Sequence, residues 1–244
     1  MSKPQFKSRL FLPAVFAIMS AAVFGVAQQP SGNKHNTRPE VPIASPTSSK
    51  DNHKGSARFT YEFTQPSFYV RHIVIEHDAS GRGTISFSKL NEETPVIEPI
   101  ELSEAVASRV AAHWEALRFL ESEEVYQSER QFPHLGTMRL KMEQDLRKRT
   151  AEFNRTNQPD ALALVNEYRR AAEQAILVFD ISVARESQPL NAPKLMEQLE
   201  SLLKRNALSD AKQLLPLLKE ITTDEHLPLI ARNHAARLIK KIEK

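Results

Sequence analysis

Residues 68–87, FYVRHIVIEHDASGRGTISF, read as a β-hairpin, and the rest of the folded chain is arranged around it. If the turn spans Asp78 to Arg82, Ile75 lies opposite Ile85 and Ile73 opposite Phe87. The two-residue period of a strand then keeps all four apolar side chains on one side of the pleat. The segment Asp78-Ala79-Ser80-Gly81-Arg82-Gly83 carries turn chemistry: Asp and Ser bond local backbone, and the glycines accept positive φ. It joins two strands instead of opening a helix and lacks a Gly-Lys-Ser/Thr ending, so it is no phosphate loop.

Upstream, Phe59, Tyr61 and Phe63 alternate with Thr60 and Glu62, giving a strand with one apolar face that ends at Pro66 or sits at a sheet edge. Downstream, residues 89–102 form a connection with Pro95 and Pro99 that pairs briefly around Val96 to Ile100. Ser103 is an N-cap with Glu104 in the first turn, and Val106, Val110, Trp114, Leu117 and Leu120 follow at helical spacing. That stripe is expected to lie on the hairpin face.

The pattern then repeats. Met138, Leu140 and Met142 alternate with Arg139 and Lys141, a turn follows at residues 144–147, and Ala151 and Phe153 share one side of the return strand. A second helix starts near Asp160, with an expected buried stripe of Leu162, Val165, Tyr168, Arg169, Ala172, Ile176 and Phe179. Strands, helix, hairpin, helix is the order of an α+β domain, an antiparallel sheet of about five strands with two long helices on one face. It occupies residues 58–190, and residues 191–244 form a three-helix appendage rich in Leu. There Asn191 and Ser209 are read as caps, Pro216 bends or delays its helix, and the last helix begins near Glu225.

The run 214–242, LLPLLKEITTDEHLPLIARNHAARLIKKI, resembles a single HEAT-type helical hairpin, with Pro216 in its first helix and Arg232, Ala235, Ala236 and Leu238 in its second. One hairpin is too few for a solenoid, so the resemblance implies an appendage packed on the α+β domain. The α+β part is similar in layout to exported bacterial proteins of unknown function built from hairpin and helix units, a likeness that supplies no active site.

Residues 1–27 have the three parts of a secretory signal: Lys3, Lys7 and Arg9, an apolar run from Leu10 to Val26, and small residues ending at Ala27, where cleavage is expected. An uncleaved anchor formed by residues 10–26 is the alternative. The chain has no cysteine, which excludes a disulfide staple or a lipid anchor on Cys. Residues 28–57 are rich in Pro, Ser, Asn and Thr and read as a disordered tether. The three signal cations account for the whole excess of 33 basic over 30 acidic residues. The remainder is neutral and lacks the positive field that a nucleic-acid partner would require.

Chemistry is sparse. His72 and His77 are an odd number of residues apart, so they face opposite sides of their strand and cannot share a metal ion without another element supplying ligands; both are read as polar positions on the unburied face or at strand ends. His77, Asp78 and Ser80 are too close in sequence to converge as a triad. Glu121, Glu123, Glu124 and Glu129 crowd a polar loop, residues 121–136, and Glu76 sits on the hairpin. No catalytic residue, cofactor or metal is assigned. The most concentrated positive patch is Arg139, Lys141, Arg147, Lys148 and Arg149, which could touch anionic lipid or cell-wall polymer. The sequence therefore points to an exported, periplasmic or secreted envelope protein that binds, with another envelope protein as partner, engaged by the C-terminal helices or the exposed sheet face. The alternative is an envelope hydrolase using the 121–136 loop and His134.

Overall fold

The alternation that begins at Phe59 becomes strand β1 (Arg58–Thr64) at the middle of a single antiparallel sheet. In the computed structural model, which describes residues 57–244, this strand is followed by β2 (Val70–Asp78), β3 (Arg82–Lys89) and β4 (Val96–Glu101). After helix α1 (Glu104–Ala116) come β5 (Thr137–Gln144), β6 (Arg147–Phe153) and the long helix α2 (Pro159–Ser187). The strand order is β4-β3-β2-β1-β5-β6. Ile75 opposes Ile85 and Ile73 opposes Phe87, the register expected from the hairpin. Its turn is held by Asp78, whose carboxylate accepts from the Ser80 N–H at 2.8 Å and the Arg82 N–H at 3.2 Å.

Register places one row across the inner face as Ile85, Ile75, Tyr61, Leu140 and Ala151, and the next as Phe87, Ile73, Phe63, Met138 and Phe153. Helices α1 and α2 cover these rows through Val106, Val110 and Trp114, and through Leu164, Val165 and Tyr168. The fold is α+β, as expected, with six strands instead of five. The extra strand is the 89–102 connection, which pairs along all of β4. Leu102 donates its N–H to Gly81 at 3.0 Å, so alternate backbone groups back along the strand face β3 and those of Ile97, Pro99 and Glu101 face away. Pro99 thus falls where a missing N–H breaks no ladder bond.

Two expectations need correction. The buried stripe of α2 runs through Ala161, Leu164, Val165, Tyr168, Ala171 and Ala172, and Leu162 is 47% exposed. Alanines carry little hydrophobic signal in a sequence, yet they let the helix approach the sheet closely. His77, in turn, is buried, because it shares the inner face with Ile73 and Ile75. Its Nδ1–H donates to the Asp78 carbonyl at 2.7 Å, which leaves Nε2 to accept from the Tyr168 hydroxyl at 2.7 Å. That hydroxyl accepts in turn from the Trp114 indole N–H at 2.9 Å. Burial pushes the His77 pKa down and the Tyr168 pKa up.

The C-terminal helices are α3 (Ala192–Lys204), α4 (Leu215–Thr223) and α5 (Leu229–Ile242). A short 3₁₀ turn at Ala211–Leu214 precedes α4, so Pro216 enters in the first helical turn, where its missing N–H has no intrahelical partner to lose. Asp210, instead of Ser209, accepts from the Lys212 N–H at 2.9 Å. These helices bury Met196, Leu199, Leu202, Leu218, Ile221 and Leu238 together with Leu177 and Ile181 from the far end of α2. From Leu195 to Leu238 every leucine except Leu229 is at least partly buried, so the leucine content is taken up within the chain. Arg185 of α2 ties this layer down through Glu220 at 2.7 Å and Asp224 at 3.1 Å. No helix among the described residues is long and apolar enough to cross a membrane. The signal segment, its cleavage point at Ala27 and the tether up to residue 56 lie outside the described residues.

Candidate ligand groove

The 121–136 loop has no secondary structure apart from one 3₁₀ turn at Pro133–Leu135, so its backbone polar groups need other partners. Side chains provide them. Asn154 Oδ1 accepts from the Phe132 N–H at 2.9 Å and from Gln127 Nε2 at 3.2 Å, and Gln127 Oε1 accepts from the Asn154 N–H at 2.9 Å. Gln65 Nε2 donates to the His134 carbonyl at 2.9 Å. Gly136 leaves the loop at φ +84°, and a Cβ there would lie 2.7 Å from the Phe63 ring, so only glycine fits.

The five members of the basic patch separate on the structure. Arg139 lies on the open sheet face between Glu62 at 2.8 Å and Glu152 at 2.7 Å, and these carboxylates raise its pKa. Lys141 and Lys148 share Glu143 at 3.1 and 3.2 Å, and the two ammonium groups pull the Glu143 pKa down. Arg147 approaches Glu121 at 3.9 Å. Arg149 shares its side of the strand with Ala151 and Phe153, and so points under the sheet. Its guanidinium donates to the Glu124 carbonyl at 2.6 Å, the Phe119 carbonyl at 2.8 Å and the Tyr126 hydroxyl at 3.2 Å. It also lies over the Phe119 ring at 4.7 Å. Arg149 is a clamp for the loop, and the other four are matched by carboxylates.

Cations without a carboxylate occur elsewhere. Beside the 3₁₀ turn, a groove of about 420 Å³ opens between the ends of β5 and β6 and the first turns of α2. Its walls are apolar, from Leu135, Met138, Phe153, Leu162 and Val165, and Arg155 and Arg169 stand among them. Arg155 covers the Phe132 ring at 4.7 Å, and Arg130 lies 5.1 Å from the same ring. Arg169 donates to the Met138 sulfur at 3.3 Å, reaches toward the Tyr61 hydroxyl, and lies 5.9 Å from the Phe63 ring. Among the described residues none of the three guanidinium groups sits in an ion pair. Glu173 feels Arg169 without pairing with it, and burial raises the Glu173 pKa. An always-charged, planar donor beside an apolar wall is suited to a carboxylate that carries an aliphatic or aromatic group.

The groove holds no acid–base pair. His134 is exposed on the 3₁₀ turn and is not among the groove walls; its ring meets only that of Phe132, at 6.0 Å. Glu121 is taken by Arg118 at 2.9 Å, and among the described residues no three His, Asp or Glu side chains gather where they could hold a metal ion. Residue pattern puts Arg169 at the margin of a stripe and does not single out Arg130 or Arg155. Which arginines find a carboxylate is decided by strand register, and no local signal marks it. No protein-family model matches this chain, and no curated protein matches it.

Proposed function

We propose that the protein is an exported component of the cell envelope that acts by binding, and that its ligand is an acidic, apolar segment of another envelope protein. The observation that carries this reading is the pair of arginines outside any ion pair, Arg155 and Arg169, that line a largely apolar groove, with Arg130 beside Arg155 over the Phe132 ring. A carboxylate would satisfy Arg155 and Arg169 while its neighbouring Leu or Phe side chain covers Leu135 and Leu162, which are 40% and 47% exposed. The signal-like residues 1–27 support a ligand met outside the cytoplasm.

The test is fluorescence anisotropy with short peptides that carry Asp or Glu beside Leu or Phe, against the wild-type protein and an Arg155→Glu/Arg169→Glu variant. Binding that weakens about tenfold or more in the variant, and that falls with salt, supports the reading. Equal binding by both proteins, with the variant folded by circular dichroism, sinks it. Export is checked separately by the mass of the processed chain, expected to begin at Gln28.

A further inference from the structure

A six-stranded open sheet has two edges, and this one treats them differently. At β4 the outward-facing groups are those of Ile97, Pro99 and Glu101. Pro99 has no N–H to offer, and the Glu101 carbonyl already accepts from Gln213 Nε2 at 3.1 Å. With one donor missing and one acceptor taken, that edge is a poor template for a further strand.

At β6, among the described residues, the loop takes only the last outward position, where the Asn154 N–H donates to Gln127 Oε1. The two-residue turn at Asp145–Leu146 makes Gln144 and Arg147 a hydrogen-bonded pair, so Arg147, Arg149, Ala151 and Phe153 bond to β5. The backbone groups of Lys148, Thr150 and Glu152 therefore face outward, and among the described residues no backbone partner meets them. An open groove of about 520 Å³ separates this edge from residues 120–126. Val125, 80% exposed, lies on its far wall.

We propose that β6 is the interface of a homodimer in which the β6 strands of two copies pair antiparallel about a two-fold axis through Thr150. The side-chain order makes the strand complementary to itself. With Thr150 opposite Thr150 of the second copy, Lys148 falls opposite Glu152, and Glu152 opposite Lys148. All three are residues whose backbone groups are free, so ladder hydrogen bonds and two opposite-charge cross-strand pairs form together. Both charged side chains are more than half exposed, at 59% for Lys148 and 53% for Glu152. Their present partners, Glu143 and Arg139, do not compete, because a carboxylate accepts from several donors at once and Lys and Arg each donate several bonds. A shift of one residue would break both the charge match and the face match. The β4 edge, a poor template, ends the assembly at two copies, so the contact closes as a dimer and does not propagate as a fibre.

Charge reversal tests this by sedimentation velocity on the processed protein. Wild type is expected to be a concentration-dependent dimer. Lys148→Glu sets Glu against Glu twice, and Glu152→Lys sets Lys against Lys twice, so each variant alone should dimerise about tenfold more weakly or not at all. Mixed one to one, the two variants restore both opposite-charge pairs and should form a heterodimer. Thr150→Pro, at an outward N–H that an edge strand can lose, should be a folded monomer. A wild type that stays monomeric across the accessible concentrations overturns the proposal. So does a dimer that survives both single reversals, or a mixture of the two variants that remains monomeric while each is folded by circular dichroism.

Discussion

The Tyr168 hydroxyl donates to Nε2 of His77 across 2.7 Å, joining α2 to β2 in the middle of the core. The bond requires a neutral imidazole, because a protonated ring has no lone pair to accept with. Burial holds the folded pKa of His77 below 6.5, the value of a free imidazole. The unfolded chain therefore takes up this proton first as pH falls. The stabilisation is fully present above about pH 6.5 and is lost as pH drops through the lower folded value. Thermal unfolding followed from pH 7 to 5 should show the melting temperature falling, and a His77→Asn variant should lose part of that slope. The Glu200 carboxyl, held at about 2 by Lys241 and Lys204, loses its contribution as pH falls from the ordinary value of 4.5 toward 2, below that pH window.

Replacing Tyr168 with Phe leaves the Trp114 N–H and His77 Nε2 without a partner inside the core. Orphaning a buried polar group costs about 1–3 kcal/mol. Urea denaturation should show Tyr168→Phe less stable by roughly 2 kcal/mol or more at an unchanged m-value.

Arg149 and Lys148 are adjacent and both cationic, yet they face opposite sides of β6. Arg149→Ala removes three donated hydrogen bonds and a guanidinium stacked on Phe119, and should cost about 2 kcal/mol. It should also speed protease cleavage between residues 121 and 131. Within one chain, Lys148→Ala loses only an exposed ion pair with Glu143, and at concentrations where the chain is monomeric it should stay within about 0.5 kcal/mol of wild type.

Leu162 and Leu164 separate the two readings of α2. Leu164, with no exposed surface, should cost about 2–5 kcal/mol when changed to Ala. Leu162→Ala should be nearly neutral in stability, within about 0.5 kcal/mol, and should weaken any peptide held in the groove.

The parts of the fold legible in the sequence are those where residue type and period agree. Ile73, Ile75, Ile85 and Phe87 alternate cleanly about a turn of Asp, Ser and Gly, and that alternation alone dictates how the two strands pair. His77 shows the opposite case. Its position in the strand is that of Ile73 and Ile75, so period alone puts it inside, but a polar residue beside a turn argues for the surface. What decides is Tyr168, 91 residues later, which gives the ring a partner. The same holds for the cations. Arg139 is matched by Glu62, 77 residues earlier, because β1 and β5 are neighbours, and nothing local to residues 139–149 reveals that. Arg155 and Arg169 stay unpaired for the same non-local reason. Pro99 misled in a milder way, since a proline argues against a strand except on the outer side of an edge.

The 29-residue span of α2 has a mechanical meaning. Tyr168 near its start is locked among the strands, and Leu177 and Ile181 further along are wrapped by the last three helices, so one rigid rod crosses both packed layers. Stripping away the terminal helices would bare the rod's far half to water and loosen its grip on the strands, and heat or denaturant should therefore take the two layers apart together, in one cooperative step.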